Sequence, residues 1–137
     1  MNHDNFEFSG ETKEYRGYIL HRLRAKRDFP EYNVKAGDLC GWIEKEENIE
    51  DDAVVLENAM VFGSARVSGQ AVVRDHASVG DNAMVTHDAC VRDCASILDH
   101  ALICDSAVVQ NQASVTGSAD IGEQAVVKDD AVVVRLL

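Results

Sequence analysis

Three groups of side chains in this 137-residue chain are of types that carry chemistry. Five histidines, His3, His21, His76, His87 and His100, are candidate general bases, each able to take a proton from a hydroxyl or amine within hydrogen-bond reach. Four cysteines, Cys40, Cys90, Cys94 and Cys104, could ligate a metal or form disulfides, but no CxxC pair or other linear metal-ligand spacing joins them. Reduced thiols and no metal site are therefore expected. The third group is a basic run: residues 16–27 hold Arg16, Arg22, Arg24, Lys26 and Arg27 with no acid among them. In a strand, residues two apart share a face, so Arg22, Arg24 and Lys26 project together, opposite Ile19, Leu23 and Ala25. Such a face is a candidate site for an anionic small molecule, a nucleotide or phosphate. The competing reading pairs these cations with the acidic column of turn residues headed by Glu57, or with Glu44, Glu46 and Glu47.

No phosphate-cradling glycine loop, nucleophile elbow or paired-histidine metal motif appears, so no catalytic residue and no cofactor are assigned. The net charge of −11 would repel nucleic acid and anionic membrane alike, which argues against both as partners. No apolar run is long enough to span a bilayer, and the first residues lack the basic-then-apolar layout of a secretory signal. A cytoplasmic location is expected.

The elements that must position these groups follow from a repeat. Residues 52–135 read in sixes: DAVVLE, NAMVFG, SARVSG, QAVVRD, HASVGD, NAMVTH, DACVRD, CASILD, HALICD, SAVVQN, QASVTG, SADIGE, QAVVKD, DAVVVR. Alanine holds the second place in all fourteen units; the fourth is valine in eleven and isoleucine in three. Two inward residues around one variable residue are the alternation of a short strand, and a β-branched fourth place suits a strand. The sixth place is Gly, Asp, Asn or Glu in twelve units, and most of these types turn a chain tightly. A period of six conflicts with the 3.6 of a helix. Each hexad is thus a three-residue strand and a corner. The low aromatic content, 6%, fits a thin core.

This pattern resembles the left-handed β-helix of hexapeptide-repeat proteins, in which three hexads close one coil of 18 residues. The resemblance implies an all-β, left-handed parallel β-helix of about 4.7 coils, fourteen hexads divided by three. Residues 1–51 are expected to form a small β cap and 52–137 the helix. Within the cap, YRGYILHRLRA (residues 15–25) and VKAGDLCGWIE (residues 34–44) are similar to the leader of YdcK-type and phage-associated hexapeptide proteins, with Cys40 where those have glycine. That group carries an acyltransferase-like label by fold, and the resemblance to hexapeptide-repeat proteins at large implies a homotrimer.

With an 18-residue coil, outward side chains stack in columns. The first is Val54, Val72, Cys90, Val108 and Val126, apolar throughout and expected to be a trimer interface unless the N-terminal segment covers it. The second is Met60, Ser78, Ser96, Ser114 and Val132; the third is Arg66, Met84, Leu102 and Asp120. Leu56, Met60 and Phe62 are read as the platform for the cap, with Trp42 a plug over the first coil. The hexads have no insertion to act as a lid over a substrate. The expectation is a non-enzymatic, self-associating interaction, scaffold or ligand-sequestering protein. The alternative is a hexapeptide-type acyltransferase taking an acyl-coenzyme A donor and using His76, His87 or His100 as base.

Overall fold

The computed structural model describes residues 1–136. Stacked parallel coils form a β-solenoid of about five turns, and antiparallel N-terminal strands cap it. Each hexad contributes a strand at its third and fourth places, in most cases only those two residues. The strands stack at a spacing of 18 into three faces. The first face pairs Val54 with Val72, Cys90, Val108 and Val126 in turn. The second runs through Met60, Ser78, Ser96, Ser114 and Val132. The third runs through Arg66, Met84, Leu102 and Asp120. The three columns read from the repeat are the observed registers.

The core follows from the same spacing. Second-place alanines and fourth-place β-branched residues point inward, and from Ala53 through Ala119 they are at most 3% exposed. Alanine beside each corner leaves room for one valine or isoleucine per face, so little more fits inside a coil.

The corners explain the acidic composition. Every sixth-place residue from Glu57 to Asp129 has φ between 56° and 67°, the left-handed region that Gly, Asn and Asp enter most readily. The side chain then does a second job. Asp75 accepts the amide hydrogen of Asp93 at 3.1 Å, Asp93 that of Asn111 at 2.9 Å, and Asn111 that of Asp129 at 3.0 Å. Asp81 and Asp99 repeat this on a second corner, reaching Asp99 and Gly117. Each carboxylate or amide thus meets an N–H that the corner turns away from the strand ladder. Eight of the sixth-place residues are acids, so much of the net negative charge is a structural requirement of the corners.

The cap begins with β1 (Phe6–Tyr15) and β2 (Tyr18–Ala25), an antiparallel hairpin whose turn residues Arg16 and Gly17 both have positive φ. β2 pairs antiparallel with β3 (Leu39–Ile43), and β3 runs parallel to the first strand of the second face, Trp42 opposite Met60 and Ile43 opposite Val61. Ile49 bridges Val67 in the same way. The parallel stack therefore starts at Trp42, ahead of the expected boundary at residue 52, because Ile43 and Ile49 stand 18 residues before core valines without the alanine signature. Gly41 occupies the place 18 before Ala59, where a Cβ would collide with Val55 Cγ1 and come within 2.9 Å of its backbone.

Asn48 closes this opening coil. Its side chain is fully buried, accepts the amide hydrogens of Glu44 and Lys45, and donates to the carbonyls of Gly63 and Ala65. Glu44 in turn accepts the Gly63 amide hydrogen at 2.8 Å. At the far end Ala125 and Ala131 are exposed, and Leu136 is 85% exposed rather than folded over the last coil; Leu137 lies outside the described residues.

Candidate functional site

Of the three cations expected to form an anion site, Arg22 and Arg24 alternate along β2 and Lys26 follows just beyond its end, and each is held by different partners. Arg22 donates from Nε to the Cys40 carbonyl at 2.6 Å and from Nη2 to the Glu57 carbonyl at 3.3 Å. Arg24 pairs with Glu7 at 3.5 Å across the hairpin, and Lys26 donates to the His3 carbonyl at 3.0 Å. Two of the acids expected as alternative partners are engaged elsewhere: Glu46 meets the N-terminal ammonium at 2.9 Å, and Glu44 meets Gly63. Arg22 thus acts as a clamp between β3 and the first coil.

Trp42 is not a plug over the coil. It points outward at the head of the second-face column, because Ile43, its neighbour, takes the inward place. Lys13 Nζ stands 4.3 Å and the Arg22 guanidinium 5.0 Å from the Trp42 ring centroid, so two cations lie against one indole. Burial, with the nearby Arg22 charge, lowers the Lys13 pKa from its usual value. Leu20, Trp42 and Phe62 form a second buried cluster, joined by Tyr15, Tyr18, Met60 and Leu98. Leu56, Met60 and Phe62 do support the cap, on the outer faces of the coils. Leu20 is buried on the cation side of β2, while Ile19 on the supposed apolar side is 51% exposed. Simple alternation fails there because the turn end of the hairpin packs on the outer second face and the other end over the core.

The first column is not an open stripe from end to end. The segment between β2 and β3 carries Phe29, a short 3-10 turn at Pro30–Tyr32 and Val34, and Phe29 and Val34 close on each other. Tyr32 and Val34 pack against the core cluster that includes Val54, Leu56 and Val72. Val54 and Val72 are consequently buried, Cys90 and Val108 half-buried, and Val126 55% exposed. Burial, aided by Glu31, raises the Tyr32 hydroxyl pKa. A cleft of about 480 Å³ beside Tyr32 is bordered by Arg27, Gln70 and Asp88.

The three candidate bases fall on three different corners. His76 Nε2 lies 3.4 Å from Asn58 Nδ2. His87 Nδ1 accepts the Asp105 amide hydrogen at 3.2 Å, as an aspartate would at its place in the repeat. His100 borders a cleft of about 610 Å³ with Tyr18, Asp81, Asp99 and Ser118. They do not converge.

Among the thiols, Cys40 is buried and Cys94 exposed. Burial first, then the Asp38 charge, pushes the Cys40 pKa from 9.0 to about 11. The folded state therefore keeps a proton that the unfolded chain releases, and this contribution to stability is full below pH 9 and lost as pH rises toward 11. Thermal melts should show a loss of stability across that window that Cys40→Ala reduces. A thiol reagent at neutral pH should modify Cys94 first and reach Cys40 only on unfolding; rapid Cys40 labelling in the native protein would contradict this burial.

Sequence reasoning missed Asn48, the Lys13–Trp42–Arg22 stack and the covering of the first column by Tyr32. The stretch GWIEKEENI, read 18 residues ahead of AMVFGSARV, carries the only signal for the early start of the coils. Compared with known proteins, the chain matches no family model and no curated relative.

Proposed function

We propose that the protein is a non-catalytic, left-handed hexapeptide-type solenoid, similar to YdcK-type and phage-associated members. In this reading it self-associates as a homotrimer and serves in the cytoplasm as a scaffold or ligand-sequestering protein. The observation that carries it is the lower part of the first face, where Cys90, Val108 and Val126 stand in register and outward, with Val126 more than half exposed. Burying a valine side chain is worth about 1.5–3 kcal/mol, so a few such residues from each chain would hold an assembly together. Val108→Asp with Val126→Asp should dissociate the native oligomer to monomer in light scattering while leaving the far-UV spectrum unchanged. A monomeric wild type, or an oligomer that survives both charges, sinks the proposal. Val72 is unsuited to this test, because it is already buried within the chain, beside Tyr32.

An anionic small molecule at Arg22, Arg24 and Lys26 belongs to the same reading, and it must compete with Glu7 for Arg24. Arg24→Ser with Lys26→Ser should remove any thermal stabilisation by nucleotides or phosphate.

One observation favours the acyltransferase alternative: His100 borders a cleft of about 610 Å³ together with Asp81 and Asp99. Under that reading acetyl-coenzyme A at about 100 times its dissociation constant would stabilise the fold by about 2.7 kcal/mol. No thermal shift with acetyl- or succinyl-coenzyme A removes it.

A further inference from the structure

Linear spacing hides a donor set that the 18-residue coil assembles. His87 and the adjacent pair Cys104 and Asp105 come from consecutive coils at the corner between the third and first faces. One ligand atom from each lies within 4.8 Å of the other two. In the repeat, His87 is the one histidine at a sixth place and Cys104 the one cysteine at a fifth place.

The surroundings prepare this set. Asp105 Oδ2 accepts the Glu123 amide hydrogen at 2.8 Å, which fixes the carboxylate. Oδ1 lies 3.3 Å from His87 Nδ1. That same Nδ1 accepts the Asp105 amide hydrogen, so in the neutral ring the hydrogen sits on Nε2 and the Nδ1 lone pair is directed at that amide. An ion placed between Nδ1 and Oδ1 would take that lone pair in exchange for the amide hydrogen and at the same time meet the carboxylate charge. The thiol joins them from the preceding residue, with Asp120 Oδ1 4.0 Å from Cys104 Sγ. Gly122 keeps the space beside the thiol open: a Cβ there would stand 3.2 Å from Sγ and 3.0 Å from Asp105 Oδ2. His87 and Asp105 are exposed at the edge of a cleft that Gly69 and Ser106 also border, so the donors are reachable from solvent.

We propose that His87, Cys104 and Asp105 bind one divalent transition ion of the zinc class, with water completing its coordination. A thiolate, an imidazole and a carboxylate suit zinc or cobalt, whereas calcium and magnesium take oxygen ligands. The ion ties neighbouring coils across a corner, and binding releases the thiol proton. The assignment is independent of the oligomeric reading above.

The test is to titrate the metal-free, reduced full chain with cobalt(II). Expected are equimolar binding, a thiolate-to-cobalt charge-transfer band, displacement by zinc, and no effect of magnesium or calcium. Cys104→Ser should abolish the band, and His87→Asn and Asp105→Asn should weaken binding by at least about tenfold. These substitutions suit the fold, since Ser68 stands at a fifth place and Asn111 already holds the corner hydrogen bond at a sixth. Unchanged far-UV spectra would check this. Absence of the charge-transfer band, or a band that survives Cys104→Ser, overturns the proposal.

Discussion

Asn48→Ala should lower the thermal unfolding midpoint by about 10 °C, a loss of about 3 kcal/mol. The fully buried side chain meets two amide hydrogens of residues entering the first coil and two carbonyls of the coil below, the Ala65 contact wholly buried and the other three partly so. Removing it strands the buried Ala65 carbonyl and deprives three partly buried backbone groups of their partner, and each buried unmet group costs about 1–3 kcal/mol before relaxation. Asn48→Asp should be worse at neutral pH, because a carboxylate oxygen would then face the Gly63 and Ala65 carbonyls. Part of that loss should return in acid, where the protonated carboxyl donates one hydrogen bond. A calorimetric midpoint unchanged in the alanine variant would mean that water takes over all four contacts.

Phe62→Ala should release the cap from the solenoid at a cost of about 3 kcal/mol. The Phe62 ring sits 5.5 Å from Tyr15 and 4.9 Å from Tyr18 and belongs to the buried cluster with Leu20 and Trp42. Trypsin cleavage at Arg22 and Arg24, held between β1 and β3 in the native fold, should accelerate by about a hundredfold if it tracks the opened population. Gly80→Ala should produce the same phenotype more weakly, about 1–3 kcal/mol, because the new Cβ would collide with the Phe62 ring. In the double variant the Gly80 effect should vanish, since the ring it strikes is gone. Independent, additive effects would place the coupling elsewhere.

The periodic part of the molecule was legible because every residue in it repeats the environment of the residue 18 before. Val73, Val91 and Val109 are buried for one reason, and Asp75 and Asp93 turn corners for another. Alanine at place two and valine at place four determine an inward pair, the corner residue determines the turn, and three hexads determine the register. The sequence by itself therefore determined the solenoid, its three faces and the inward set.

The cap and the sites depended on contacts with no period. β1 carries a register shift between Phe8 and Thr12, and β2 is antiparallel on both sides, so spacing alone could not align either with the coils. Only the tertiary structure decided that residues 29–34 cover Val54 and Val72, that Trp42 lies outside the coil between Lys13 and Arg22, and that each basic residue of β2 has its own partner. It also decided that His87 meets Cys104 and Asp105. The physical reason is the same in each case: short-range alternation sets which way a side chain points, while the segment that comes to lie against it is set by long-range packing.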